Sequence, residues 1–111
     1  MPVKAKVCGL TRPEDAAAAV AAGASYLGVV FAGGPRRVTM TAAKEIAAAG
    51  GSIPVIGVYG DQSVDEILRI NEAAGLGGAQ LHGPYPRGAA AELRQRGLRV
   101  WRVVRIAEPG D

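Results

Sequence analysis

Four times in succession an apolar run suited to a strand gives way to helix signals and then to glycine, and a fifth apolar run follows. The first run is Lys4–Cys8. Thr11, Pro13 and Glu14 then read as a capping box, with Thr11 as N-cap, ahead of a helix over Ala16–Ala22 that Gly23 stops. Tyr26–Phe31 is apolar almost throughout, as in a strand buried on both faces. Thr41 caps a helix over Ala42–Ala49, closed by Gly50 and Gly51, and Pro54–Tyr59 is the third strand. Ser63 and Glu66 make a second capping box, opening a helix to Ala74 with Ile67, Leu68 and Ile70 as its apolar stripe. Gly77–Gly83 is a short fourth strand with its exit, a helix runs from Pro86 or Arg87 to Gly97, and Arg99–Ile106 is the fifth strand.

Such alternation demands a parallel sheet with right-handed crossovers. No linker or low-complexity tract divides the 111 residues, so they form one domain or part of one. A doubly wound domain is complete with five strands. A (β/α)8 barrel needs eight units and typically about 250 residues. The composition is that of a globular α/β domain, with 49% apolar and 21% charged residues.

The net charge of +3 raises nucleic-acid binding, but one Trp, one Phe and three Tyr offer few stacking residues. Acidic residues are interspersed among the arginines, which favours solvated helix faces and a few anion-binding guanidiniums over a basic footprint. No run approaches the roughly 18 apolar residues of a membrane span, and no signal-peptide hydrophobic region opens the chain. A single cysteine excludes an intrachain disulfide, and a reducing cytoplasm is the expected compartment.

In parallel α/β folds the chemistry gathers at the carboxyl ends of the strands. There stand Cys8 and Gly9 after strand 1, Arg36 and Arg37 in the loop after strand 2, and Gly60, Asp61 and Gln62 after strand 3. Gln80 and His82 stand in and after strand 4. Cys8 can serve as a base or nucleophile activated by nearby positive charge, or as a small buried hydrophobe. Arg36 and Arg37 can clamp a carboxylate or phosphate, or belong to a solvated loop. His82 can act as a base or bond a strand-end carbonyl. No second histidine or cysteine accompanies it at metal-ligand spacing, and neither phosphate-loop glycine motif is present.

Taken in order, "KVCGLTRPEDA", "GASYLGVVF", "GPRRVT", "VIGVYGDQSVDEI" and "AQLHG" resemble the strand-end segments of the phosphoribosylanthranilate isomerase family. Gly34 stands where that family usually has serine. The resemblance implies an α/β fold of the (β/α)8 TIM-barrel family, of which residues 1–111 are the N-terminal half, truncated to about four βα units plus a fifth strand. It implies an Amadori rearrangement of a phosphorylated aminoaldose to an aminoketose in tryptophan biosynthesis, with no cofactor and no metal. By the same resemblance Cys8 is the catalytic base. Arg36, rather than Arg37, holds the anthranilate carboxylate, Gln80 and His82 line the site, and Arg102 stands where a fifth-strand lysine is common.

The family's general acid is an aspartate ending strand 6, and its phosphate loops follow strands 7 and 8. A chain ending after strand 5 is therefore expected to be inactive or weakly active, since losing the acid alone costs about 10²–10⁴-fold. Two further readings stand beside this one. One is a non-catalytic half-barrel that self-associates through exposed sheet edges. The other is a different small α/β enzyme using Cys8. A small phosphorylated molecule is the expected partner, not nucleic acid or membrane.

Overall fold

The computed structural model describes residues 5–34, 37–83 and 85–102, and the alternation is realised across them. The strands are β1 (Lys6–Val7), β2 (Tyr26–Val30), β3 (Val55–Tyr59), β4 (Gly78–Leu81) and β5 (Arg99–Arg102). Between them lie the helices α1 (Pro13–Ala21), α2 (Met40–Ala49), α3 (Val64–Ala74) and α4 (Arg87–Gln95). The strands form one parallel sheet in the order β1-β2-β3-β4-β5, with β1 and β5 outermost. The expected extension of the fifth strand to Ile106 lies outside the described residues.

Two helix starts differ from the sequence reading. Thr11 does not cap α1. Proline disfavours the helical region for the residue before it, so Arg12 is extended (φ −136°, ψ 143°) and becomes the N-cap without a side-chain bond. Its guanidinium instead reaches Asp15 at 3.3 Å. Helix α2 begins two residues early, because Thr39 rather than Thr41 accepts the Ala42 amide at 3.1 Å. The Ser63–Glu66 capping box forms as expected, with Glu66 accepting the Ser63 amide and Ser63 the Glu66 amide. The Ser63 backbone amide, and after it the Ser63 hydroxyl, hold the Glu66 carboxyl below its ordinary range.

Alternation along the strands gives the sheet two different faces. Leu27, Val29, Phe31, Val55, Tyr59, Ala79 and Leu81 face the helices and pack with Ala16, Ala43, Ile46, Ile67, Ala89 and Leu93 in the core. Small alanines on α1, α2 and α4 let these helices lie close to the sheet. At the centre Tyr59 stacks on Phe31 at 5.4 Å and donates its hydroxyl to Asn71 Oδ1. Asn71, the only buried polar residue among those described, donates to the Gly78 carbonyl at 2.8 Å. This amide is the interior link from α3 to both β3 and β4.

Burial pushes the Tyr59 phenol well above its ordinary value near 10. A folded value above the unfolded one means that the contribution is intact below about pH 10 and is lost as pH rises beyond it. Urea midpoints are therefore expected to fall steeply above about pH 10. Tyr59→Phe should flatten that fall, leaving the smaller slope of Tyr85, whose phenol burial also raises. An unchanged slope in Tyr59→Phe would contradict this.

The opposite face carries Lys6 and Cys8, Tyr26 and Gly28, Ile56 and Val58, Gly78 and Gln80, and Arg99 and Trp101, according to the register. This face is concave. Three strand spacings in a flat sheet separate β2 from β5 by about 14 Å. Yet the rings of Tyr26 and Trp101 meet edge to face at 5.2 Å. Arg99 also donates to the Tyr26 hydroxyl at 3.1 Å. Lys6 on β1 likewise bonds Gln80 on β4.

Candidate active site at the strand ends

Cys8 follows β1 directly and is exposed. Two glycines put it there. Gly9 takes φ 81°, a left-handed conformation that turns the chain immediately past the thiol. The amide of Leu10 then rejoins β2 at the Gly28 carbonyl, at 3.1 Å. Gly28 is buried opposite Cys8, and a Cβ on it would lie 2.9 Å from Cys8 Sγ and 3.2 Å from Cys8 Cα. The thiol thus occupies space that any other residue at 28 would fill. The sequence reading missed this role, since the only signal was a glycine inside an otherwise bulky apolar strand. Gly28→Ala is expected to displace Cys8 and cost about 1–3 kcal/mol, read as a lower urea midpoint.

Gln80 is half-buried on the concave face, with Lys6 as its partner. His82 is exposed one step beyond β4, its amide bonded to the Tyr59 carbonyl at 2.8 Å, which continues the ladder to the strand end. The structure therefore brings Cys8, Gln80 and His82 to the carboxyl end of one sheet. Arg36 lies outside the described residues, as does the Arg102 side chain. Arg37 is described: its backbone bridges Val30, and its side chain is exposed beside the end of β2.

The β3–α3 loop is fastened by a residue whose part was not legible. Gln62 accepts the amides of Gly60 and Asp61 at 3.1 and 3.3 Å and donates to the Phe31 carbonyl at 3.0 Å. Tyr85, from the β4–α4 loop, donates its hydroxyl to the Gln62 carbonyl at 2.7 Å. The loops after β2, β3 and β4 are thereby tied into one rim. A cleft of about 510 Å³ opens between the last two, lined by Asp61, Ser63, Val64, Tyr85 and Pro86. It is not lined by Cys8, Gln80 or His82. Among the described residues no group of three His, Cys, Asp or Glu is arranged to hold a metal ion, and no helix is long and apolar enough to cross a membrane.

The chain is similar to known proteins over nearly its whole length. The family model described as N-(5'-phosphoribosyl)anthranilate (PRA) isomerase matches residues 5–110. The N-(5'-phosphoribosyl)anthranilate isomerase of Deinococcus radiodurans is 51% identical over 86 residues, covering 76% of this chain and 41% of that protein. The crystal structure of phosphoribosyl anthranilate isomerase from Thermus thermophilus is 40% identical with a TM-score of 0.87, covering 98% of this chain and 55% of that one. A phosphoribosyl anthranilate isomerase solved in complex with reduced 1-(o-carboxyphenylamino)-1-deoxyribulose 5-phosphate is 27% identical with a TM-score of 0.90, over 97% of this chain and 56% of that one.

The chain spans about half the length of the curated relatives it matches. The five strands and four helices of the described residues are the corresponding part of a (β/α)8 barrel. By sequence and by fold, this chain belongs to the N-(5'-phosphoribosyl)anthranilate isomerase family.

Proposed function

We propose that residues 1–111 are the N-terminal half of a cytoplasmic phosphoribosylanthranilate isomerase. It would convert N-(5-phosphoribosyl)anthranilate into 1-(2-carboxyphenylamino)-1-deoxyribulose 5-phosphate in tryptophan biosynthesis. The observation that carries this reading is the exposed Cys8 thiol, held over Gly28 at the carboxyl end of β1, in a chain whose relatives share this activity by name. In the proposed sequence an acid protonates the furanose ring oxygen, and the ring opens to a Schiff base. Cys8 takes the C2 proton to give an enolamine, which tautomerises to the ketone. The reaction is an isomerisation, so no oxidant, reductant or leaving group is needed. Arg36 is assigned to the anthranilate carboxylate, Gln80 and His82 to the substrate's polar groups. The acid and the phosphate grip are assigned to later strands, as the resemblance implies.

The test is a hybrid barrel, in which residues 5–102 replace the matching segment of the Thermus thermophilus relative. The expected result is turnover of the aminoaldose to the aminoketose. A hybrid that folds with a native circular-dichroism spectrum and shows no turnover would overturn the proposal. The outermost positions of β1 and β5 also favour a second reading, self-association of the 111-residue chain through those edges. A monodisperse dimer in sedimentation would support it, and a monodisperse monomer would remove it.

A further inference from the structure

We propose that Lys6 is a positioning residue that fixes the side-chain amide of Gln80, so that Gln80 meets the substrate as a hydrogen-bond donor. This rests on the assignment of Gln80 to substrate binding above. Lys6 Nζ, on β1, donates to Gln80 Oε1, on β4, a contact spanning 74 residues of sequence and two intervening strands. An ammonium group has three donors and no acceptor, so it accepts only one orientation of the neighbouring amide. Without it the glutamine can turn either its carbonyl or its NH2 end toward β1. A charge-assisted bond is roughly twice as strong as a neutral one, which makes the choice decisive.

With Oε1 held, the two N–H donors of Gln80 point away from Lys6. The register neighbours of Gln80 offer them nothing. Val58 is hydrocarbon, and the Trp101 indole is a donor only. Neither register neighbour competes for the amide, which is thus turned toward an incoming acceptor, a hydroxyl, carboxylate or phosphate oxygen. The lysine two residues before Cys8 therefore acts across the concave face, on β4.

Two readouts test this. In the 111-residue chain labelled with 15N and 13C, the Gln80 side-chain resonances should move in Lys6→Met and return in Lys6→Arg. They should stay in place in Lys44→Met, a substitution on an exposed position of α2. Gln80 resonances that ignore Lys6→Met would overturn the proposal, whatever the hybrid barrel does. In the hybrid, Lys6→Met should raise KM on the order of tenfold to a hundredfold with kcat within about threefold, and Lys6→Arg should recover most of it. Gln80→Glu separates positioning from mere structure. It keeps a partner for Lys6 and should preserve the urea midpoint, but it removes the donors and should raise KM as Lys6→Met does. An unchanged KM in Gln80→Glu would reduce the pair to a structural tie. A wild-type hybrid without turnover would sink the proposed function and leave the resonance test standing.

Discussion

Cys8→Ala is expected to lower kcat/KM of the hybrid barrel by about 10²–10⁴-fold, the usual worth of a positioned general base. The unfolding free energy from urea melts should stay within about 0.5 kcal/mol of the parent, as for other exposed positions. Cys8 is exposed, and its backbone is fixed by Gly9 and by the Leu10–Gly28 bond rather than by its sulfur. Truncation leaves no buried polar atom behind. The loss should fall on kcat more than on KM, because proton removal is made only in the transition state. Cys8→Asp, which puts a carboxylate at the same strand end, should recover part of the rate. Activity in Cys8→Ala within about tenfold of the parent would assign the C2 proton to another group.

Asn71→Leu is expected to destabilise the chain by about 2–5 kcal/mol, the largest stability loss anticipated for any single polar side chain described here. Leucine shares the branching of asparagine at Cγ but is bulkier, and it removes the partner of the Tyr59 hydroxyl and of the Gly78 carbonyl in the interior. Each such group costs about 1–3 kcal/mol when left unpaired. The double variant Tyr59→Phe/Asn71→Leu leaves only the carbonyl stranded. It should therefore be more stable than the sum of the two single losses predicts. Strict additivity in urea melts would show that the two side chains do not act as one unit. A domain with 5–15 kcal/mol of total stability has little room for such a loss.

The β/α alternation was legible because each signal is local: an apolar run, a cap and a terminating glycine within about two dozen residues. The Ser63–Glu66 box was read correctly for that reason. The starts of α1 and α2 were missed where two local signals competed. Pro13 outranked Thr11 by excluding the helical conformation at Arg12, and Thr39 outranked Thr41 by being the first residue able to reach the Ala42 amide. The strand-end placement of Cys8, Gln80 and His82 followed from the fold class alone. What could not be read was everything decided by pairs distant in sequence. Gly28 matters only because Cys8 lies opposite, and Lys6 only because curvature brings β4 to it. Asn71 stands four residues after Ile67 and three before Ala74, at the helical spacing of the buried stripe, but which groups its amide joins is set by β3 and β4, which lie outside α3.

The strand order has a consequence for how the chain is made. Each strand pairs with the one synthesised just before it, over sequence separations of 20 (Lys6 with Tyr26) to 28 residues (Leu27 with Val55). The entropy of closing each loop is therefore nearly the same at every step, and no pairing waits for a distant segment. On the ribosome the sheet can grow from one edge only, one βα unit at a time, in the order of synthesis. The concave bridges Lys6–Gln80 and Tyr26–Trp101 close only when the fourth and fifth strands arrive. Until then the nascent arc can stay shallow, and its final curvature is set late, by the last strands to dock.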